Sequence, residues 1–345
     1  MCNIAGYVGS RPAAPILLDM MKRQEGFAGG YFSGMATIHD GRLYHAKLTG
    51  DVARLESLTD VASFPGTIGI IHSRSNSGGG DKWAHPFTRS KNGQVTEAYI
   101  ANGGLGCSKP RLPEYCQLGQ RLMDEGYTMP SRDNVPNTIY PTLADGSVIH
   151  MSDIMCQLIA RNLDRGRNVV DAMTEAFCEM PSEIVGLLLS LSSPEAITWS
   201  RINLPLFVGF ASHGAYLSST PLAFPEDVER FSPMAPCSSG QVYPDHFTSY
   251  PYEVAPYSVA PITPEIRQRA YDQVLRDLRS GPKPIKEIWA ALIPLFDPAD
   301  CCQRQILAYD VLYSIGKDYP LTIHSVPVPG AADGLTAPKF TLSIP

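Results

Sequence analysis

Nowhere in its 345 residues does the chain carry an apolar run long enough to span a bilayer, for which about 20 consecutive apolar residues are needed. The opening residues lack a basic stretch and their apolar run is short, so no secretory leader is expected. No Asn-X-Ser/Thr sequon occurs, no CxxC pair, and no Cys/His spacing of the zinc type. Positive charge is scarce as well. The 28 Lys and Arg are outnumbered by 34 Asp and Glu, for a net charge of −6, and no dense basic block exists. A nucleic-acid binder needs such a block to displace phosphate counterions, so the charge argues against that class. Gly78-Gly79-Gly80-Asp81-Lys82 is glycine-rich but lacks the spacing and hydroxyl of a nucleotide-binding P-loop. The eight scattered cysteines, vicinal Cys301-Cys302 included, read as free thiols of a reducing compartment. A cytoplasmic protein without metal or cofactor is expected.

What is present is ordinary globular material, 44% hydrophobic and 18% charged, in an order of strands, helices, then strands. Residues 2–8 alternate with β-branched and aromatic types and predict a strand. A helix follows over Ala13–Lys22, then a hairpin, Phe32–His39 and Arg42–Leu48, around the Asp40-Gly41 turn. Asp51 is placed to cap a short helix ending at Leu58. Gly66–His72 predicts a buried strand running into a polar loop over Ser73–Lys82. Val95–Ala101 predicts another, ending on a turn at Asn102-Gly103-Gly104. Apolar residues at three- and four-residue spacing predict helices over Pro113–Gly126, Ser152–Asp164 and Val169–Met180. Short strands return over Ile184–Leu191, Ala196–Arg201, Pro205–Phe210 and Ala215–Ser219. Two packed sheets with helices outside fit this order better than strict βα alternation. The segment 244–264, dense in Pro and Tyr, cannot hold a helix and reads as a linker or extended wrap. Three helices follow, Pro264–Arg279, Ile285–Phe296 and Cys302–Lys317, and the last 25 residues, rich in Pro and Gly, are expected to be irregular. Residues 1–250 are thus taken as one catalytic domain and 251–345 as a Pro/Tyr-rich linker with a helical appendage.

Cys2 stands next to a methionine that aminopeptidase removes when the second side chain is small. Removal would leave a thiol and a free amine on one residue, and an α-amine titrates near pKa 7.7–8.0, roughly poised at neutral pH. The amine can act as general base, directly or through a water, while the thiol attacks a carbonyl. That is the strategy of N-terminal nucleophiles.

Five stretches, in order over most of residues 2–219, then resemble the class II glutamine amidotransferases. These include the glutaminase domains of glucosamine-6-phosphate synthase, amidophosphoribosyltransferase and glutamate synthase. Cys2-Asn3-Ile4-Ala5-Gly6-Tyr7-Val8-Gly9 is similar to the family's Cys-Gly-Ile-x-Gly-x-x-Gly opening. His72-Ser73-Arg74 with Ala84-His85-Pro86 resembles its His-x-Arg…Ala-(His/Gln)-Pro, and Ala101-Asn102-Gly103 resembles its His-Asn-Gly. Met151-Ser152-Asp153 is similar to its Ser-x-Asp stretch, and Leu204–Gly209 with Leu217-Ser218-Ser219 to its late strand pair. The resemblance implies a four-layer αββα N-terminal-nucleophile sandwich of α+β class with a small helical C-terminal appendage.

It implies roles too. Cys2 is the nucleophile. Asn102, through its side-chain amide, and Gly103, through its backbone N–H, form the oxyanion hole. Free glutamine is a zwitterion, so Arg74 would take its carboxylate through a forked contact and Asp153 its ammonium. Taken alone, Arg74 would be a surface ion pair, Asn102-Gly103 a plain turn, and Asp153 a cap for the helix after Ser152. His72 and His85 read as structural, since the amine leaves no necessary role for an imidazole. The expected partners are glutamine and an ammonia-accepting synthase subunit, because the residues beyond 250 are too few for a synthase; a homo-oligomer is left open. This chain departs from the family at Asn3, where glycine is usual, and at Gly29–Gly34, where the loop lacks the family's Arg and Asp. Ser75 and Gly78 also replace an aromatic and a histidine. Two alternatives stand beside the amidotransferase reading: an amide hydrolase of the same fold acting on a peptide or acylated amine, and a catalytically silent regulatory subunit.

Overall fold

A computed structural model of the chain describes residues 2–135, 139–255 and 257–345; Met1, whose removal the sequence leads one to expect, lies outside the described residues. The strands of the catalytic part are β1 Asn3–Gly9, β2 Phe32–His39, β3 Arg42–Thr49, β4 Ile68–Arg74, β5 Phe87–Lys91 and β6 Gln94–Gly104. They continue as β7 Glu183–Ser190, β8 Ile197–Arg201, β9 Phe207–Ala211, β10 Gly214–Ser218, β11 Arg230–Pro233, β12 Ser238–Val242 and β13 Tyr250–Pro251. They form two antiparallel sheets, one of seven strands in the order β11-β9-β10-β1-β4-β2-β3 and one of six in the order β13-β12-β8-β7-β6-β5.

Period-two alternation sorts each strand's residues between layers. In β1, Ile4 and Val8 join Ile68 and Ile70 of β4 in a core shared with Ala98 and Ile100 of β6 and Leu187 of β7. That core lies between the sheets. Ala5 and Tyr7 face the other way, into a second core with helix α1, Ala13–Lys22. Helices α4 (Leu112–Asp124), α5 (Met151–Asp164) and α6 (Val169–Glu179) cover the outer face of the second sheet. The layers are therefore α, β, β, α, as the resemblance implies. Asp51 caps α3, Val52–Leu58, by accepting from Arg54 N–H at 2.9 Å, as the sequence predicts.

Helices α7 (Pro264–Arg279), α8 (Ile285–Ala291) and α9 (Arg304–Asp318) bury Val274, Ile288 and Leu312 in the same core as Leu17 and Met21 of α1. The last 25 residues are not irregular. They form a hairpin, β15 Thr322–Pro329 and β16 Thr336–Ser343, whose second strand also pairs with β14, Lys283–Pro284. Pro327 and Pro338 sit opposite each other in the ladder. Proline is tolerated where a strand has an open edge: β15 is the edge of this sheet, and β16, its middle strand, meets β14 only at Thr341 and Leu342, which leaves its far side unpaired at Pro338. Phe340 of β16 packs edge-on against Phe27 at 5.2 Å, in helix α2, Glu25–Ala28. The contact depends on Gly26, where a Cβ would lie 2.2 Å from the Phe340 ring.

Two expectations fail here. Asn102-Gly103-Gly104 is no turn: β6 runs on through Gly104, paired with Glu183–Val185 of β7. Nor are all cysteines free, since Cys107 and Cys301 are disulfide-bonded across 194 residues of sequence, a pairing that no local spacing announces. No helix among the described residues is long and apolar enough to cross a membrane.

Truncating the plug at Phe340 tests how far the C-terminal sheet supports the rest. Phe340→Ala is expected to destabilise the protein by about 3–5 kcal/mol, the usual range for a buried Phe, read as a lower urea midpoint. A change below about 1 kcal/mol would show that the hairpin is a passive attachment.

Candidate active site

Cys2 precedes β1 and is buried, 8% exposed, at one end of the inter-sheet core. Two inward-facing rows turn from apolar to polar at this end. Along β4 the row Ile68, Ile70 continues with His72 and Arg74; along β6 the row Ala98, Ile100 continues with Asn102. Registers fix the neighbours: Ile4 lies opposite His72 and Asn3 opposite Ser73. The strand is pinned on its other side too, where Ile4 N–H donates to Ser219 Oγ at 3.0 Å.

Asn102 reaches across from the second sheet. Its Oδ1 accepts from Cys2 N–H at 2.9 Å, which fixes the amide's orientation. Its Nδ2 is buried and makes no hydrogen bond. An orphaned buried donor is costly unless something is meant to fill it. Gly103 follows on the cavity wall, where a Cβ would come within 3.1 Å of Ile184.

The Arg74 guanidinium lies over the Phe32 ring at 4.4 Å and is 1% exposed. Nη2 donates to Ser77 Oγ at 2.8 Å and Gly78 O at 2.7 Å, whereas Nη1 is buried without a partner. A buried cation with one idle nitrogen suits an anion. Beneath it, Ser73 Oγ accepts from Gly30 N–H at 2.7 Å and donates to Glu25 at 3.2 Å. A Cβ at Gly29 would lie 2.5 Å from Ser73 Oγ, so this loop is shaped for close approach even without the family's Arg and Asp. Burial pushes the Glu25 carboxyl up to about 8. Asn3, the departure from glycine, is put to use: its Oδ1 accepts from Ala28 N–H at 3.1 Å and ties β1 to α2.

His72 has more to do than the sequence reading gave it. Its Nε2 donates to the Ala101 carbonyl at 2.9 Å, and its ring stacks on His85 at 3.8 Å. Burial alone would raise the Cys2 thiol pKa, but the neighbouring His72 imidazole, together with the chain's amino terminus and the Ser75 backbone, outweighs this and holds it at about 6. The signal was available, because the alternation that buries Ile68 and Ile70 puts His72 on the same face, toward Cys2. Burial drives the pKa of both His85 and His150 well below the usual histidine range, so those rings are neutral. Lys47 donates to the Ala84 and Pro86 carbonyls at 2.8 and 3.1 Å and so holds the His85 loop in place. Gly34 allows that loop in; a Cβ there would lie 2.0 Å from the His85 carbonyl.

Asp153 does not join the others. Its carboxylate is 0% exposed: Oδ2 accepts from Ser131 N–H at 2.8 Å and Ser131 Oγ at 2.7 Å, and Oδ1 from Gln157 at 3.3 Å. Nor is it the helix cap, for His150 Nδ1 takes that place, accepting from Ser152 N–H at 3.1 Å. The cavity, about 180 Å³, is lined by Cys2, Arg74, Gly103, Tyr140, His150 and Ser152 among others; neither Asp153 nor Asn102 is on its walls, but Asn102 stays joined to Cys2 by its hydrogen bond.

This fold is that of the N-terminal-nucleophile amidotransferases. Glutamine phosphoribosylpyrophosphate amidotransferase from B. subtilis superposes with a TM-score of 0.58 at 16% identity, covering 82% of this chain and 60% of that one. A structure described as the allosteric regulatory enzyme of purine biosynthesis gives a TM-score of 0.58 at 16% identity, covering 82% and 59%. In sequence, the chain is 26% identical over 237 residues to glutamine–fructose-6-phosphate aminotransferase of Bartonella quintana, covering 68% of this chain and 34% of that protein. The corresponding protein of Chlorobaculum tepidum is 29% identical over 226 residues, covering 64% and 32%. No family model matches. The chain is thus similar, in sequence and in fold, to glutamine amidotransferases of class II, and it spans about a third of the length of these curated relatives.

A thiol held at about 6 is largely thiolate at neutral pH and gains its proton as pH falls through that value. The rate of Cys2 alkylation by iodoacetamide is therefore expected to be level above about pH 7 and to fall below it with a midpoint near 6. In His72→Gln the midpoint should move up. A midpoint unchanged by that substitution would show that His72 does not set the thiol's protonation.

Proposed function

We propose that the chain hydrolyses the side-chain amide of glutamine through a thioester on Cys2 and supplies the ammonia to an acceptor carried by a partner. The observation that carries this reading is the Asn102 amide, with Oδ1 spent on Cys2 N–H and Nδ2 buried and idle. With Met1 removed, the Cys2 amine takes the thiol proton, and Sγ attacks the amide carbon. Asn102 Nδ2 and the Gly103 N–H receive the developing oxyanion, the N–H donors being worth about 3–4 kcal/mol each in the transition state. Arg74 Nη1 receives the α-carboxylate. The protonated amine then gives its proton to the departing nitrogen, and water releases the acyl group from sulfur.

Residues 1–250 are taken as the glutaminase unit, with 251–345 bracing it. A cytoplasmic setting belongs to the same proposal, and the Cys107–Cys301 disulfide is the observation against it. Intact mass and a glutamine-mimicking diazoketone test the core of the reading. Loss of the Met1 mass and one adduct on Cys2 are expected; no adduct together with no ammonia release would sink it. Cys2→Ala should abolish ammonia release, and Asn102→Ala should lower kcat by about 100- to 1,000-fold. Arg74→Ala should chiefly raise KM; an unchanged KM would show that the carboxylate binds elsewhere.

A further inference from the structure

A pocket selective for free glutamine has to meet an ammonium group as well as a carboxylate. Here the cation for the carboxylate is in place: Arg74 Nη1 is buried and idle. The anion for the ammonium is not. The residues lining the cavity are Cys2, Arg74, serines, histidines, glycines and apolar side chains, with no carboxylate among the described residues. The three undescribed residues nearest it in sequence, 136–138, are Pro, Asn and Thr and carry none either. Asp153, which the resemblance assigns to the ammonium, spends its oxygens on Ser131 and Gln157. Burial also raises its pKa, which weakens it further as a counter-ion.

The wall beside it offers something different. His150 lines the cavity, and its Nδ1 is occupied as acceptor for Ser152 N–H. Buried and next to the Arg74 charge, the ring is neutral, so Nε2 bears its single proton and is a donor. A donor repels an ammonium and suits a carbonyl. Around it stand Tyr140, Met151 and, at 65% exposure, Ile139, an apolar rim at the mouth.

We propose that the amide donor this cavity prefers is a glutamine whose α-nitrogen is acylated, as an N-acyl-glutamine or as the C-terminal residue of a peptide. Its α-carboxylate sits on Arg74, its acyl carbonyl accepts from His150 Nε2–H, and the acyl substituent leaves over Ile139 and Tyr140. The chemistry is that proposed above, on which this inference rests. Cys2 Sγ bonds to the side-chain carbonyl carbon, the C–N bond breaks and ammonia departs. Water then cleaves the thioester, so that R-CO-Gln + H₂O gives R-CO-Glu + NH₃.

The test measures ammonia release by the full chain, its Met1 removal checked by mass, from L-glutamine, N-acetyl-L-glutamine and the dipeptide alanyl-glutamine. At least one acylated substrate is expected to exceed free glutamine by about tenfold or more in kcat/KM, the worth of roughly one satisfied hydrogen bond. Which acylated arm is faster tells a small acyl group from a peptide. Free glutamine faster than both would overturn the inference and leave the glutaminase reading standing; ammonia from none of the three would overturn both. His150→Asn keeps a capping oxygen for Ser152 N–H but is too short to reach the acyl group. It should raise KM for the preferred acylated substrate about tenfold with kcat changed by less than about threefold. An unchanged KM would remove His150 from the assignment.

Discussion

The hydrogen bond from Cys2 N–H to Asn102 Oδ1 joins the two sheets at the point where their shared core ends. Everything else at the site depends on it. It sets which way the Asn102 amide faces and so leaves Nδ2 without a partner. It also fixes the backbone nitrogen that becomes the free amine once Met1 is gone. An error of one residue in the register of β1 would put Asn3 and Ala5 between the sheets and turn Ile4 outward. The register is held from both sides, by Ile4 opposite His72 and by the paired bonds between Ile4 and Ser219.

The rows that build the core also build the site. Ile68 and Ile70 bury a continuous apolar face, and the same alternation carries His72 and Arg74 into the same space where that face gives out. Buried charge is costly unless it is met. Arg74 is met on one side by the Phe32 ring and by Ser77 and Gly78, which leaves a single nitrogen for a ligand. A guanidinium held this rigidly gives up little further rotamer freedom on binding.

Much of this was legible in the sequence because it is periodic. Alternation locates β1, β4 and β6, and apolar spacing locates α5 and α6. The positions of Cys2, Arg74, Asn102 and Gly103 relative to those elements follow. What escaped depends on contacts between distant segments. Asn102-Gly103-Gly104 has turn composition, yet pairing with β7 keeps it extended. The prolines of β15 and β16 suggest disorder, yet they lie where each strand has an unpaired side, and Phe340 has a socket to fill. Asp153 occupies the motif position for an ammonium ligand, but only the fold shows Ser131 standing in front of its carboxylate. His72 escapes for a chemical reason: the amine of Cys2 already supplies a base, and the thiol's own protonation depends on a ring brought to it by the pairing of β1 with β4.

The C-terminal segment changes how the site must work. Phe340 presses on α2 at Gly26, and α2 is tied through Ala28 N–H to Asn3 beside Cys2. On the other side, Cys301 is bonded to Cys107, a few residues beyond Gly103 and Gly104. Gln303 meanwhile accepts from the buried Arg201 at 2.6 Å, and Arg201 pairs with Val185 in β7, the strand beside β6. Both Cys2 and β6 are thus braced by residues from beyond 250. A site closed by a mobile loop can order itself around its substrate. One braced at both ends has to be formed beforehand, and its selectivity then rests on which groups already face the cavity. That is why the side chain that has turned away, Asp153, says as much about the substrate as those that remain.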